Sequence, residues 1–253
     1  MLVQMDASAL EVRCVAYLAQ DKTLTEEIIN GVDTHRANQV AFKLPGWDVT
    51  DKTDEQYKLG RLLAKVLVFR IIYGANEYSF ANDPSFTVVS KSKDYWKEVI
   101  SAYYKKYQGV SKWHENIIRQ VVNSGGILEN PTGRFFKFQR YEGKYPETQI
   151  KNYPVQALGA DIMALARVSF YNRLKKLNFP DCLIVNTVHD SIVVDCDEKT
   201  TDVDKLITTM HEVFDDLPTN FNKMFGVEFN VPMAAEVQIG MNWEDMKVVE
   251  RKP

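Results

Sequence analysis

The sequence is poor in cysteine: only Cys14, Cys182 and Cys196 occur in 253 residues. Three scattered thiols are too few for a disulfide framework, and no close His or Cys partners accompany them at zinc-site spacing. A reducing, cytoplasmic setting is the expectation. Long apolar runs are also missing, since none reaches the roughly 20 residues needed to cross a bilayer. Leu2 and Val3 run straight into Asp6, unlike a signal peptide, so no membrane association is expected. Nor does one sign of charge prevail: 31 Lys and Arg against 34 Asp and Glu give a formal net charge of -3. That excludes a uniformly basic coat for nucleic acid but leaves room for a basic groove beside gathered carboxylates. Internal repeats and low-complexity segments are absent. The hydrophobic content, 45%, is enough for the core of one large domain or two smaller ones.

Local patterns place the polar residues of interest. Residues 1–18 alternate and then run apolar, a short strand turning into a helix, with Asp6 at the strand's end. Residues 21–124 are mostly helical in pattern. The clearest segment runs from Tyr57 to Tyr73, and Gly74 is a natural stop. Gly126, Pro131-Thr132-Gly133 and the aromatic run ending at Phe138 predict a β-hairpin over 125–140, and Gln156–Leu174 reads as a helix. Cys182–Val188 and Ile192–Val194 are apolar, β-rich runs flanking His189-Asp190-Ser191, a hairpin carrying a carboxylate at its tip.

Asp6 and Asp190 each lie in or beside an apolar strand, where an unpaired carboxylate is costly to bury. Something cationic should accompany them. Taken singly, each could equally pair with a nearby Lys or Arg or sit exposed at a turn. On the helix, Arg61, Lys65, Phe69 and Tyr73 recur every fourth residue. At roughly 1.5 Å rise per residue they form a stripe with steps of about 6 Å, comparable to successive phosphates of a triphosphate. Two cations for phosphates and a ring for a base make a ladder for a nucleotide laid along the helix. A lone Arg-x-x-x-Lys is more often a solvated basic edge. The full string through Tyr73-Gly74 is much less easily accidental.

The order Asp6-Ala-Ser-Ala-Leu-Glu11-Val-Arg13, Asp33-Thr-His35, Arg61 to Gly74, Asn152-Tyr-Pro-Val-Gln156 and Val188-His189-Asp190 resembles the successive motifs of bacterial and phage family A DNA polymerases. The resemblance spans the chain, including Val231-Pro232 and Asn242-Trp243 in its closing segment. It implies an α+β fold: an antiparallel-sheet palm from residues 1–20 and 125–253, with a helical fingers insertion over 21–124. It implies two Mg2+ ions on Asp6, Asp190 and the carbonyl of Ala7, which would activate the primer 3′-hydroxyl and brace in-line phosphoryl transfer. Lys65 would sit at the reacting phosphate, Arg61 and His35 at the outer phosphates. Asp33 is expected to serve its own turn.

By the same resemblance, Glu11 packs against the sugar and excludes a 2′-hydroxyl, Phe69 lies beside sugar and base, and Tyr73 lies near the templating base. Asn152, Gln156, His189 and Arg134 match or neighbour positions that touch primer and template, although a hairpin salt bridge is an equal expectation for Arg134. Primer-template DNA, deoxynucleoside triphosphates and an N-terminal polymerase fragment carrying the thumb and remaining palm are the implied partners. Phage origin fits the minimal architecture. Ser191 stands where Glu is usual, Arg70 where Gly is usual, and Ala7 and Ala9 where larger residues are usual. Two rivals remain: a single-subunit RNA polymerase, against which Glu11 and Phe69 argue, and a non-catalytic DNA-binding subunit, against which the combined set Asp6, Asp190, Arg61 and Lys65 argues.

Overall fold

The computed structural model describes Met1–Arg251. Its elements, in chain order, are β1 (Leu2–Ala7), α1 (Leu10–Ala19), α2 (Lys22–Ile29), α3 (Thr34–Ala41), α4 (Glu55–Ile72), α5 (Glu77–Ala81), α6 (Pro84–Thr87), α7 (Lys93–Lys106), α8 (Gln108–Asn123), β2 (Ile127–Glu129), β3 (Phe135–Lys137), α9 (Glu147–Leu177), β4 (Cys182–Val188), β5 (Ser191–Cys196), α10 (Val203–Asp215), α11 (Leu217–Phe225), β6 (Ala235–Gly240) and β7 (Lys247–Val249). The fold is mixed α+β. Its chain forms two compact units: Met1–Cys14, Asn130–Arg134 and everything from Gln156 onward in one, Val15–Glu129 and Phe135–Val155 in the other.

The first unit is built on an antiparallel sheet of order β4-β5-β1-β6-β7. Alternation in β1 explains its place at the centre. Val3, Met5 and Ala7 are buried while Leu2, Gln4 and Asp6 are half-buried, the period-2 pattern of a strand with unlike faces. Val194, Val3 and Ile239 lie in register across three strands, as do Ile192, Met5 and Val237. Helix α10 packs on β1 and β6 and buries Leu206, Met210, Val213 and Phe214. Fully burying such a side chain contributes about 1.5–3 kcal/mol.

The second unit is predominantly helical. Helix α4 begins where Asp54 accepts from the amides of Gln56 and Tyr57, at 2.7 and 3.2 Å, and ends before Gly74, whose φ of +89° is one that L side chains rarely adopt. Its buried stripe, Tyr57, Gly60, Leu63, Ala64, Leu67, Val68, Ile71 and Ile72, follows the helical period. Gly60 allows an unusually close approach: a Cβ there would stand 1.7 Å from the Pro45 carbonyl oxygen and 2.3 Å from Gln39 Nε2. Asp21 ties two helix starts together. One oxygen accepts from Leu24 in α2, the other from Gly109 and Val110 in α8.

The contact division differs from limits at 1–20, 21–124 and 125–253. Helix α1 runs unbroken through Cys14 and Val15, and Tyr153 in α9 packs on Phe136 and Phe138, drawing the β2–β3 hairpin into the helical unit. Helix α9 also starts at Glu147, nine residues before the expected Gln156, and carries Pro154 inside it. Proline removes one amide donor from the ladder, but here the helix continues through it. The three cysteines are free and buried. No helix among the described residues is long and apolar enough to cross a membrane.

Candidate functional site

In the first unit the sheet register brings the two predicted carboxylates together. Asp6 lies opposite Ser191 in the β1–β5 pairing, and the Ala7 amide donates to the Asp190 carbonyl at 2.9 Å. Both aspartates are half-buried, open enough to meet a ligand and sheltered enough to be positioned. His189 and Asp190 form the two-residue loop joining β4 to β5, and His189 takes a φ of +51°. Such hairpin loops favour positive φ, which usually selects Gly, Asn or Asp. Ser191 is buried, and its hydroxyl donates to the Val188 carbonyl at 3.0 Å, closing the loop in the place where the resemblance expects a carboxylate. A bulge at Val185 in β4 precedes the loop.

The donor chemistry fits magnesium. Carboxylates of Asp6 and Asp190 with the Ala7 carbonyl are hard oxygen ligands of the kind that ion takes. Among the described residues no group of three or more His, Cys, Asp or Glu side chains could hold a metal ion. Asp6, Asp190 and the Ala7 carbonyl would hold such an ion together with oxygens of phosphate and water.

In the second unit α4 carries Arg61, Lys65 and Phe69, with Tyr73 as its C-cap. Arg61 pairs with Asp33 at 2.6 Å, both about 40% exposed. Asp33 also caps α3 by accepting from the amides of His35 and Arg36, each at 3.1 Å, and its pKa is lowered by hydrogen bonds from Arg61 and Arg36 that outweigh its desolvation. Lys65 is exposed and forms no ion pair among the described residues. Phe69 and Tyr73 stack, ring centroids 6.5 Å apart and 16° from parallel. His35 meets Phe69 edge-on at 5.8 Å. Burial, reinforced by the Arg61 cation, pushes the His35 pKa down to about 4. At neutral pH His35 is therefore uncharged, and its ring offers a phosphate one N–H rather than a cation.

The remaining candidates divide between the units. Gln156 donates through Nε2 to the Glu11 carboxylate, so the structure joins the predicted sugar-excluding residue to a predicted DNA contact. Arg134 forms a bidentate pair with Asp161, at 2.6–2.9 Å, and Thr132 donates to the same carboxylate at 2.7 Å. Arg134 does form a salt bridge, but to Asp161 of α9 and not within the hairpin. Asn152 is half-buried on α9, one turn before exposed Gln156, and His189 is exposed.

Several participants carried no motif signal. Asp161 is separated from Arg134 by 27 positions, and only the tertiary fold pairs them. Glu236 of β6 is the register partner of Asp6 on the other side of β1, an alternation in a short C-terminal strand being its only sequence trace. Arg70, conspicuous as a departure from the family pattern, pairs with Asp83 at 2.6 Å.

A paired-carboxylate hairpin sheet and a helix bearing spaced cations are chemistry suited to a divalent ion and a phosphate chain. Residues 1–245 match DNA polymerase family A, and the chain belongs to that family. DNA polymerase I of Caldicellulosiruptor bescii is 29% identical over 251 residues, covering 97% of this chain and 27% of the relative. A DNA polymerase of Bacillus phage SP01 is 28% identical over 253 residues, covering 96% of this chain and 26% of that protein. The chain thus spans about a quarter of the length of these relatives. In fold it is similar, with a TM-score of 0.75, to the POL domain of Pol1 from M. smegmatis in complex with DNA primer-template and dNTP. That likeness covers 96% of this chain and 40% of the other, at 21% identity.

Proposed function

We propose that the protein performs template-directed DNA synthesis, adding deoxynucleotides to a primer 3′-hydroxyl, as the C-terminal part of a larger or split polymerase. The observation that carries this is the placement of Asp6 on β1 beside the β4–β5 loop that holds Asp190, tied by the Ala7 amide on the Asp190 carbonyl. Asp6, Asp190 and the Ala7 carbonyl would hold two Mg2+ ions, whose chemistry is to acidify the primer hydroxyl and neutralise charge on the transferring phosphate. Arg61 and neutral His35 would bind outer phosphate oxygens, with Asp33 as the carboxylate that Arg61 leaves when nucleotide arrives. Lys65 would meet the reacting phosphate and is free to donate a proton toward the departing pyrophosphate.

Phe69 would pack beside the sugar and base, and Tyr73, stacked on it, beside the templating base. Glu11, oriented by Gln156, would fill the volume a 2′-hydroxyl needs, selecting deoxynucleotides. Asn152, Gln156, His189 and Arg134 would touch primer-template DNA, Arg134 while retaining Asp161. The thumb and remaining palm would be supplied by the rest of a larger polymerase or by a partner fragment.

Primer extension with magnesium tests this. Asp190→Ala is expected to lower extension at least about 1,000-fold, the equivalent of roughly 4 kcal/mol, with unchanged circular dichroism. Extension that survives this substitution would overturn the metal-site assignment, and ready ribonucleotide incorporation would favour the RNA polymerase rival over the Glu11 gate.

A further inference from the structure

Arg70 occupies the last turn of α4, between Phe69 and Tyr73 in sequence, and its guanidinium is held on two sides. Nη1 pairs with Asp83 Oδ2 at 2.6 Å, and Cζ lies over the Phe86 ring, 5.2 Å from its centroid. Both anchors are themselves fixed. Asp83 caps α6, accepting from the Ser85 amide at 2.8 Å. Phe86 is fully buried, edge-on to Phe80 at 5.0 Å and to Trp96 at 5.5 Å, while Trp96 donates to the Ser90 carbonyl. Elsewhere on the same turn, Tyr104 donates to the Ile71 carbonyl at 3.3 Å.

The energetics argue against a role in stability. Arg70 is 38% and Asp83 19% exposed, and an ion pair that solvent still reaches is worth about 1 kcal/mol. Geometry is what the contact supplies. Phe69 and Tyr73 share a face of the turn that carries Arg70, and a helical turn rolls as a unit, so a guanidinium fixed at residue 70 fixes where the ring pair points. A planar fork held by a carboxylate and a ring face is restricted in a way a flexible ammonium is not.

We propose that Arg70 is a positioning residue for nucleotide selection: through Asp83 and Phe86 it sets the roll of the last turn of α4 and hence the placement of the Phe69–Tyr73 ring pair against the incoming nucleotide. This rests on α4 being the nucleotide-binding helix.

The test compares wild type, Arg70→Ala, Arg70→Lys, Asp83→Asn and the double variant Arg70→Ala/Asp83→Asn in the complete polymerase, measuring steady-state kcat and KM for matched and mismatched deoxynucleotides together with Tm. Arg70→Ala and Asp83→Asn are each expected to raise KM for the matched nucleotide about tenfold, the factor worth roughly 1.4 kcal/mol, with kcat and Tm little changed. Matched-over-mismatched discrimination should fall, the double variant should be no worse than the worse single one, and Arg70→Lys should recover part of the loss. Unchanged KM and discrimination in both single variants overturn the proposal, as does a loss of kcat that simply follows Tm. A wild type that neither binds nor incorporates nucleotide overturns the polymerase assignment and this proposal with it, whereas an active wild type indifferent to Arg70→Ala overturns this proposal alone.

Discussion

Two buried imidazoles give the protein a measurable response to acid. The His35 pKa is pushed down to about 4 and the His114 pKa to about 3, in each case mainly by burial, with Arg61 and Lys151 the next causes respectively. Unfolded histidine titrates near 6.5, so the unfolded chain takes up these protons first as pH falls. Stability is therefore fully present above about pH 6.5 and declines toward the folded pKa values. Urea unfolding at pH 7 and pH 4.5 should differ by about 2 kcal/mol for each ring, and His35→Gln should remove its share of that difference. A pH-independent midpoint between 7 and 4.5 would show that these rings are accessible to protons in the folded state. Neutral His35 also means that phosphate affinity should not rise between pH 7 and 6, as it would for an imidazole charging in that range.

The positions of the candidate site residues were legible in the sequence because strand and helix periods are short. Asp6 at the end of an alternating run and Asp190 between two apolar runs could each be located, and sheet pairing then joined them. Their half-burial also fits a simple cost argument, since neither is sealed in the core. Arg70 with Asp83, Arg134 with Asp161 and Gln156 with Glu11 were not legible. Each pair depends on which helix faces meet, which is decided by packing over many residues.

At the scale of elements, α4 shows how packing reverses a local preference. Replacing a helical glycine by alanine ordinarily stabilises by about 1 kcal/mol. At Gly60 the added methyl would meet backbone of Pro45 and the Gln39 amide that bonds to it at 2.6 Å. Gly60→Ala is expected to destabilise by at least about 2 kcal/mol in urea titrations and to loosen the Arg61–Asp33 contact one residue away. The β4–β5 hairpin offers the opposite case. His189 adopts a left-handed φ that glycine adopts more readily, so His189→Gly should gain about 0.5–1 kcal/mol in stability while weakening primer-template affinity. Stability and affinity moving together would argue against a DNA contact at this side chain. The early start of α9 went unforeseen because Pro154 reads as a helix breaker, whereas this helix runs through it from Glu147.

For the whole molecule, the informative quantity is the fraction of its relatives that the chain spans, about a quarter for the polymerases and 40% for the solved POL domain. Under the proposed split arrangement, supplying a thumb-and-palm fragment in trans is expected to raise primer extension at least about tenfold and to shift the elution volume of the chain in gel filtration. Equal extension with and without that segment, and no co-elution, would refute the split arrangement.

The bond from the Ala7 amide to the Asp190 carbonyl makes the main chain the gauge of the candidate metal site. Asp6 lies opposite Ser191 and the Asp190 carbonyl is held by the Ala7 amide, so the placement of both carboxylates follows from strand pairing and not from side chains elsewhere. A one-residue slip of β5 would undo the site, whereas exchanging one apolar residue for another of similar size within the strands would preserve it. The Ala7 amide should accordingly be among the slowest to exchange with deuterium.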